Sequence, residues 1–291
     1  MQDFDLILKE YSDRFELVMK NRFESICAKD SLDIIDAMKY AVCGGGKRIR
    51  PILLYAACDM LKIDKENADY YALALEFIHS YSLVHDDLPS MDNDDYRRGL
   101  LSTHKKFGEA MGILAGDALL NFAFETVLSN DNFSKNDLCA ARILSEYAGY
   151  SGMIAGQVLD LQSENALGDE DVLYKIYVNK TSKLLTAPLL IASCLSDKLY
   201  YDELKKLGFN LGIMFQITDD IMDVEGSFNS IGKTPNKDEK ENKLTSIKIW
   251  GLQGAKEKNE ELFNQCIEIL SKIPNSDFLI YLIKKIYLRK K

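Results

Sequence analysis

Apolar residues recur at intervals of three and four along most of this chain. In the segment DSLDIIDAMKYAV, the residues Leu32, Ile35, Met38 and Val42 follow that spacing, and GILAGDALLNFAFETVLS and KLGFNLGIMFQITDDIMDV repeat it. This period places apolar side chains on one face of an α-helix. Segments in which apolar and polar residues alternate between turns are absent, and only five prolines occur. The chain is therefore predicted to fold as an all-α protein.

Composition and length bound the size of that fold. The 291 residues are 47% apolar and 28% charged, as in ordinary globular proteins. Length alone would favour about two domains, but no change in composition divides the chain. Small residues on apolar faces, including Gly112, Gly116 and Gly156, permit helices to pack closely. We predict one domain over residues 1–291, built as a single large helical bundle.

Charge and the absence of targeting segments argue against several classes of protein. The net charge is −9, whereas a nucleic-acid binder normally carries a basic face, so no nucleic-acid partner is expected. No basic–apolar signal segment begins the chain, and no uninterrupted apolar run approaches the roughly 20 residues of a membrane span. The six cysteines lack the spacing of a zinc site. We expect a cytoplasmic protein without an integral membrane segment, whose cysteines mostly fill the core.

The segment HDDLPSMDNDDYRRG, residues 85–99, is the first of two acidic clusters. Asp86 and Asp87 end a strongly apolar helical segment. Asp92 comes six residues after Asp86 and lies off its face on an ideal helix. Both carboxylates can reach one ion only if the chain bulges or turns between them. Asp94 and Asp95 are expected to be solvated loop charges.

The second acidic cluster lies in FQITDDIMDV, where Gln216, Asp219, Asp220 and Asp223 occupy positions i, i+3, i+4 and i+7. On a helix these four side chains fall within an arc of about 100°. The pattern alone fits either an exposed acidic face or a metal site. Two carboxylate groups without His or Cys ligand spacing suit a hard cation, and Mg²⁺ fits best because it binds one or two carboxylates together with substrate phosphates.

Basic residues complement these clusters. In GGGKRIRP, three glycines precede Lys47, Arg48 and Arg50, and a helix that begins there would let Lys47 and Arg50 face one anion. A plain basic turn is the alternative, since the Walker pattern is absent. Arg97 and Arg98 follow the first acidic cluster and offer forked donors suited to phosphate. Acidic and basic clusters together predict a metal-bound diphosphate.

The same composition argues against catalysis by a protein nucleophile. Only three histidines occur, and no Ser-His-Asp arrangement is evident. A leaving group that is activated by a metal ion and arginine needs no such nucleophile. The C-terminal YLRKK fits either a tail that closes over the site or a basic helix end.

Several motifs occur in an order that is specific to one family. GGGKRIRP, IHSYSLVHDDLPSMDNDDYRRG, HKKFGEAMGILAGDALL, GMIAGQVLDL, NKTSKLL, FQITDDIMDV and GKTPNKDEKENKLT resemble the motifs of short-chain trans-isoprenyl diphosphate synthases. The resemblance runs from about Met38 to the C terminus and is closest to bacterial enzymes that make a C15 product. It implies an all-helical fold around a central cavity and a homodimer. It also implies head-to-tail condensation of an allylic diphosphate with isopentenyl diphosphate.

The resemblance also assigns roles to individual residues. Asp86, Asp92 and Asp219 would bind Mg²⁺, with Mn²⁺ as a substitute, and Asp87, Asp220 and Asp223 would support them. Isopentenyl diphosphate would be bound by Lys47, Arg50, His79 and Arg98. The allylic diphosphate would be bound by Arg97, Lys180, Lys233 and Lys243, while Thr181 and Gln216 would face the developing carbocation. Asn236 and Ser182 stand where relatives often have glycine.

The chain length of the product is the most specific prediction that the resemblance supports. In this family, a first motif that is longer by two residues, with an aromatic residue five positions before its first Asp, is typical of enzymes that make farnesyl diphosphate. Tyr81 is that residue, and Ser82 follows it. An ideal helix places Tyr81 about 7.5 Å along the axis from Asp86 but about 140° around it. Its chain-length role is therefore implied by the family rather than by helix geometry, and a core tyrosine is the alternative.

Three other functions compete with a farnesyl diphosphate synthase. The nearest enzymatic alternative is a geranylgeranyl diphosphate synthase, from which the chain-length role of Tyr81 would distinguish this chain. A class I terpene cyclase would lack GGGKRIRP and would need no isopentenyl diphosphate. A non-catalytic subunit of a heteromeric prenyltransferase would bind metal without turnover, although both acidic motifs are intact.

Overall fold

The computed structural model describes residues 3–28, 32–163, 168–225 and 243–289, and most of these residues lie in helices. The helices are α1 (Phe4–Cys27), α2 (Asp33–Cys43), α3 (Ile49–Leu61), α4 (Lys65–Asp86), α5 (Thr103–Phe107), α6 (Glu109–Leu128), α7 (Lys135–Ala148), α8 (Met153–Ser163), α9 (Glu170–Ile176), α10 (Lys183–Leu195), α11 (Tyr201–Glu225), α12 (Ser246–Leu270) and α13 (Asp277–Tyr287). A π-helical segment, Tyr177–Ser182, joins α9 to α10. The predicted all-α class is confirmed.

One short β-hairpin departs from the predicted loop after α4. Strand β1 (Tyr96–Arg97) pairs antiparallel with β2 (Leu100–Leu101). The two residues between them, Arg98 and Gly99, have φ angles of 55° and 78°. Two-residue hairpin turns of this kind need positive φ at both central positions, which glycine supplies without strain. The hairpin therefore fixes the backbone around Arg97 and Arg98.

The first compact unit comprises Met1–Cys58 and Asp64–Lys135. In it α4 packs against α6, α1 and α2. The ring of Phe77 lies 5.8 Å from that of Phe23 and 4.9 Å from that of Phe122, measured between centroids. In the same unit, buried Arg48 pairs with buried Glu76 at 2.7 Å. The apolar positions of α4 thus bury the helix that leads into the first acidic cluster.

The second compact unit comprises Asp59–Ile63 and Asn136–Lys291. In it α11 packs against α10, α12 and the π-helical segment. Two glycines allow close approach there: a Cβ on Gly156 would lie 2.1 Å from the backbone nitrogen of Lys180, and one on Gly212 would lie 2.2 Å from Cα of Ser182. The close packing predicted from small residues is therefore confirmed at Gly156. That one domain spans residues 1–291 stays a prediction.

Within the described ranges, α6 is the one helix that is long and apolar enough to cross a membrane by length and composition alone. Its mean hydropathy is 1.4 over the most apolar window, and 44% of that window is buried inside the protein. Its buried positions include Leu119 and Phe122, which face the first unit's core. Ile113, Leu114 and Leu128 on the same helix are exposed, so α6 packs one face against the core and carries further apolar side chains outside it.

Candidate active site

The first acidic cluster turns back on itself. Helix α4 ends at Asp86. The backbone nitrogen of Asp92 donates to the carbonyl oxygen of Asp86 at 2.9 Å, and that of Asn93 donates to Leu88 at 3.1 Å. Asn93 has a φ of 50°, a left-handed conformation that asparagine tolerates. The turn required if Asp86 and Asp92 are to serve one ion is therefore present.

Asp87 faces the protein interior and fixes Arg97. The Asp87 side chain is 3% exposed. It accepts a hydrogen bond of 2.9 Å from Nε of Arg97 and a second, shorter one from Nη2. Asp94 lies 3.5 Å from Nη2 of the same guanidinium and is 17% exposed, so the prediction that Asp94 is a solvated loop charge is wrong. Asp95, by contrast, is 61% exposed and pairs with Lys105.

The glycine turn before α3 lies against Arg98. The guanidinium of Arg98 donates to the carbonyl oxygen of Gly45. A Cβ on Gly46 would lie 2.8 Å from Cζ of Arg98, so a side chain at Gly46 would displace the arginine. Gly45 and Gly46 both have positive φ. Lys47 is exposed beside this turn and precedes α3, which begins at Ile49, so the helical face predicted for Lys47 and Arg50 together does not form.

Arg50 and His79 belong to the same positively charged region of the first unit. Burial lowers the pKa of Arg50 to about 10; Glu76 opposes this effect and the charge of Arg98 adds to it. Burial and then the charges of Arg50 and Arg98 hold the pKa of His79 well below its usual value. Nε of Arg50 is buried without a hydrogen-bond partner among the described residues. Such a region favours an anionic ligand.

Arg48, between Lys47 and Arg50, has a structural role. It is 4% exposed, and it pairs with Glu76 at 2.7 Å and with Glu16 at 2.8 Å. Its guanidinium lies over the ring of Phe15 at 5.5 Å. Two carboxylates thus neutralise this arginine, which distinguishes it from its neighbours in the basic sequence.

Tyr81 is a buried side chain near Asp86. It is 5% exposed, and its hydroxyl has no hydrogen-bond partner in the described part of the chain. Burial, followed by the charge of Asp86, raises its pKa to about 12. Its ring packs edge-on against His85 with centroids 5.9 Å apart. Ser82 forms a hydrogen bond within its own helix: its hydroxyl donates to the carbonyl oxygen of His79 at 2.9 Å.

In the second acidic cluster, adjacent carboxylates have different surroundings. The Asp219 side chain is 44% exposed and pairs with Arg289 at 2.8 Å. Asp220 is buried, and burial raises its pKa to about 6 although its hydrogen bonds oppose that shift. Asp223 is partly buried. The cluster is therefore neither a fully exposed acidic face nor a row of equivalent metal ligands.

The residues predicted to face the carbocation lie together in the second unit. Thr181 Oγ1 donates to Oε1 of Gln216 at 2.9 Å. Nζ of Lys180 lies 2.6 Å from a carboxylate oxygen of Asp160. These four residues and Lys243 line a cavity of about 100 Å³. Lys233 and Asn236 lie outside the described residues.

The carboxylates suit a hard divalent cation, but the side chains of either unit do not form a full ligand set. Within the described chain, no group of three His, Cys, Asp or Glu side chains is arranged to hold a metal ion. Mg²⁺ needs no such group, since it keeps several waters and is bound by one or two carboxylates and substrate phosphates. The return of Asp92 to Asp86 and the exposure of Asp219 fit that mode of binding.

Three residues at these sites carried no predicted role, and a fourth belongs to the C-terminal segment that was predicted to close over the site or to end a helix. Asp160 holds Lys180 and lies inside a recognised motif, so its position offered a usable signal. Tyr177 and Ser246 bind Asp220 from other elements, and hydroxyl side chains at such separations give no pattern in a sequence. Arg289 belongs to the YLRKK segment. Helix α13 ends at Tyr287, and Arg289 lies against α11 beyond it.

Comparison with known proteins identifies the family of this chain and agrees with its fold. A family model described as polyprenyl synthetase matches residues 33–278. Farnesyl diphosphate synthase of Micrococcus luteus is 41% identical over 259 residues, 88% of this chain and 89% of its own. The enzyme of the same name from Haemophilus influenzae is 42% identical over 279 residues, 94% of each chain. Geranylgeranyl pyrophosphate synthase 4 of Arabidopsis thaliana is 42% identical over 245 residues, 82% of this chain and 66% of its own.

A solved structure extends the comparison to three dimensions. The Helicobacter pylori geranyltransferase complexed with magnesium and isoprenyl diphosphate has a TM-score of 0.82 and 30% identity, covering 96% of this chain and 97% of its own. The chain therefore belongs to the polyprenyl synthetase family and is a prenyltransferase of isoprenoid biosynthesis, a trans-prenyl diphosphate synthase. The family prediction is confirmed. Farnesyl and geranylgeranyl relatives match at nearly equal identity, so identity alone does not fix the product length.

Proposed function

We propose that this chain is a Mg²⁺-dependent farnesyl diphosphate synthase. It would condense geranyl diphosphate, and also dimethylallyl diphosphate, with isopentenyl diphosphate and release diphosphate. The observation that carries the C15 product is Tyr81, which is buried five positions before Asp86 with its hydroxyl unpaired among the described residues. Two bacterial relatives named for that activity, at 41% and 42% identity, support it.

We assign metal binding to Asp86 and Asp92 in the first unit and to Asp219 in the second. The turn that joins Asp92 to Asp86 and the exposed carboxylate of Asp219 support this assignment. Magnesium in the H. pylori geranyltransferase structure supports the choice of ion, and we propose Mn²⁺ as a substitute. Bound Mg²⁺ would neutralise the charge that develops on the leaving diphosphate.

Isopentenyl diphosphate is assigned to Lys47, Arg50, His79 and Arg98. Arg50 carries a buried nitrogen without a partner in the described chain, and Arg98 is held in place by the glycine turn. The lowered pKa of His79 keeps its imidazole neutral, so it contributes a hydrogen bond rather than a charge. The arginine guanidinium groups and the neutral imidazole would together bind one diphosphate. This binding needs no protein nucleophile.

The allylic diphosphate is assigned to Arg97, Lys180, Lys233 and Lys243. Arg97 and Lys180 are already oriented, by Asp87 and Asp160 respectively. Orientation before binding reduces the conformational entropy lost when the ligand arrives. These cations would stabilise the diphosphate as its bond to the allylic carbon breaks.

The hydroxyl of Thr181 and the amide of Gln216 are assigned to the resulting allylic cation. Their oxygen dipoles stabilise positive charge that develops beside them. The double bond of isopentenyl diphosphate attacks this cation, which forms the new carbon–carbon bond. The adduct then loses a proton, for which the released diphosphate is the acceptor. Apolar helix residues would exclude the water that otherwise quenches the cation.

The second candidate is a geranylgeranyl diphosphate synthase, favoured by the 42% identity to the Arabidopsis enzyme of that name. The two candidates differ in whether a C15 product is extended again. We assign the limit on extension to Tyr81, with Ser82 beside it, because a large buried ring cannot move aside without a cost in packing.

The direct test supplies the purified chain with Mg²⁺, labelled isopentenyl diphosphate and each allylic primer in turn. We expect dimethylallyl and geranyl diphosphates to be converted to a C15 product, and farnesyl diphosphate to be extended poorly. Efficient extension of farnesyl diphosphate to C20 would replace the first candidate with the second. Consumption of an allylic diphosphate without isopentenyl diphosphate would indicate a cyclase, and no turnover would indicate a non-catalytic subunit.

Three further assignments come from the sequence and complete the proposal. We propose that the protein is a homodimer, that it is cytoplasmic and that one polyprenyl synthase domain spans residues 1–291. Sedimentation equilibrium of the purified chain checks the first, cell fractionation the second, and a single cooperative unfolding transition the third.

A further inference from the structure

The buried carboxylate of Asp220 is bound by donors from two other elements of the second unit. Its Oδ2 accepts hydrogen bonds from the hydroxyl of Tyr177, from the backbone nitrogen of Ser246 at 2.8 Å and from Oγ of Ser246 at 2.7 Å. Tyr177 begins the π-helical segment and Ser246 begins α12. The backbone N–H groups at the start of a helix have no intrahelical partner. Asp220 thus has a fixed position.

Gln216, one helical turn before Asp220 on α11, takes its orientation from that carboxylate. Nε2 of Gln216 donates to Oδ1 of Asp220 at 3.2 Å. A carboxylate oxygen accepts and an amide NH₂ donates, so the Gln216 amide must turn its nitrogen toward Asp220. Its oxygen then faces the opposite way, toward the π-helical segment.

Thr181 completes this chain of hydrogen bonds. Its hydroxyl donates to Oε1 of Gln216 at 2.9 Å. A hydroxyl has one proton and two lone pairs, so a proton committed to Gln216 leaves the lone pairs for other neighbours. Thr181, Gln216 and Asp220 line the same cavity. An oxygen that presents lone pairs there stabilises a positive charge, whereas a hydroxyl that points its proton there opposes one.

We infer that Tyr177 and Ser246 are positioning residues for the condensation. They act through Asp220 and Gln216 to keep the proton of Thr181 away from the allylic cation. The inference rests on the proposed function, because it takes Thr181 to lie beside that cation. Ser246 is not among the residues that line the cavity, and Tyr177 lines it with its hydroxyl donated to Asp220. Their effect through Asp220 is therefore expected on kcat rather than on substrate binding.

The test is a double-mutant cycle with steady-state kinetics of the condensation. Tyr177→Phe removes one donor to Asp220, Ser246→Ala removes another, and Ser246→Thr retains the hydroxyl. Loss of a hydrogen bond to a charged group should lower kcat about tenfold, with little change in the KM for isopentenyl diphosphate. Ser246→Thr should stay within about twofold of the wild type. In a Thr181→Val background, Tyr177→Phe should lower kcat by less than about twofold further.

Tyr55→Phe is the matched control. The Tyr55 hydroxyl donates to a carboxylate oxygen of Asp69 at 2.7 Å in the first unit. This variant also loses a buried bond from tyrosine to aspartate, and it should keep wild-type kcat. Thermal unfolding of each variant identifies a loss of stability, and kcat is then measured at a temperature where the variant is fully folded.

The outcomes separate this inference from the proposed function. A wild-type chain that makes no condensation product contradicts the proposed function. With an active wild type, equal losses from Tyr177→Phe with and without the Thr181 hydroxyl contradict the positioning network. An unchanged kcat in both Tyr177→Phe and Ser246→Ala contradicts it as well. If Tyr177→Phe does not fold, the cycle is run with Ser246→Ala and Thr181→Val, and the same comparison decides.

Discussion

Arg289 donates a hydrogen bond of 2.8 Å from Nη2 to Oδ1 of Asp219. The same nitrogen donates to the backbone carbonyl of Phe215, whose ring lies 3.7 Å from the guanidinium carbon. A protein cation is therefore the counter-ion of a carboxylate that we assign to Mg²⁺. Burial lowers the pKa of Arg289 and the charge of Asp219 opposes that shift. A divalent cation that binds Asp219 must compete with this arginine or share the carboxylate with it.

Arg289→Gln is expected to lower the Mg²⁺ concentration needed for half-maximal activity. Because Asp219 is 44% exposed, the ion pair is partly screened, and a weak pair of about 0.5–1 kcal/mol corresponds to a decrease of about two- to fivefold. Isothermal titration of Mg²⁺ into the protein with diphosphate measures the effect without turnover. Lys272→Gln, which removes an exposed pair with Glu268, is the control. A higher Mg²⁺ requirement in Arg289→Gln would show that the arginine assists metal binding instead.

The sequence predicted both acidic clusters because residue type and helical period are local properties. It did not predict which of these carboxylates are buried and which are exposed. On an ideal helix Asp219 and Asp220 share one arc. In the structure Asp220 is buried, and its carboxylate accepts hydrogen bonds from Tyr177, 43 positions away, and Ser246, 26 positions away. Asp92 is the converse case, because the helical period placed it off the Asp86 face and a backbone turn brings it back.

Asp86→Ala and Asp219→Ala are expected to lower turnover by at least about 100-fold with the fold intact. Each removes a carboxylate that we assign to Mg²⁺, and loss of charge stabilisation at the leaving group acts directly on the transition state. Steady-state rates and far-ultraviolet circular dichroism measure the two parts of this prediction. Asp95→Ala, in the same loop but paired only with exposed Lys105 in the described contacts, should keep the wild-type rate. Near-normal rates in either alanine variant of Asp86 or Asp219 would remove the metal assignment.

Tyr81→Ala is expected to shift the product from C15 toward C20 and longer chains. The substitution removes a ring that is 5% exposed and opens space along α4 beside Asp86. Chromatography of labelled products measures the distribution. Tyr81→Phe is the matched control and should still give C15, because the tyrosine hydroxyl has no hydrogen-bond partner in the described chain. If Tyr81→Ala continues to stop at C15, the ring does not set product length.

The basic sequence KRIR shows the same limit of local patterns. Lys47, Arg48 and Arg50 look equivalent as charges, and an anion-binding helix start was one of two interpretations. In the structure Arg48 is neutralised by Glu16 and Glu76. Burial and then the charge of Arg98 lower the pKa of Arg50, and burial and then the charge of Arg50 lower the pKa of His79. The difference arises from residues on α1 and α4, and no spacing within the motif carries it.

The neutral state of His79 predicts a loss of stability in acid. Burial and the charges of Arg50 and Arg98 hold its pKa well below 6.5 in the folded protein, so the unfolded chain binds a proton that the folded chain does not. The contribution of His79 is therefore zero well above pH 6.5 and becomes unfavourable as the pH falls below it. This loss of unfolding free energy should grow as the pH falls from 6.5 toward the folded pKa of His79.

Urea unfolding of the wild type and of His79→Gln at pH 7.5 and pH 5.5 measures this contribution. Between the two pH values, the wild type should lose measurably more of its unfolding free energy than the variant loses. His85→Gln is the matched control: His85 lies on the same helix but beside Asp117 at 3.9 Å, without the arginines that surround His79. Equal pH dependence in the wild type and His79→Gln would mean that the pKa of His79 is the same in the folded and unfolded chains, which contradicts a lowered pKa in the folded protein.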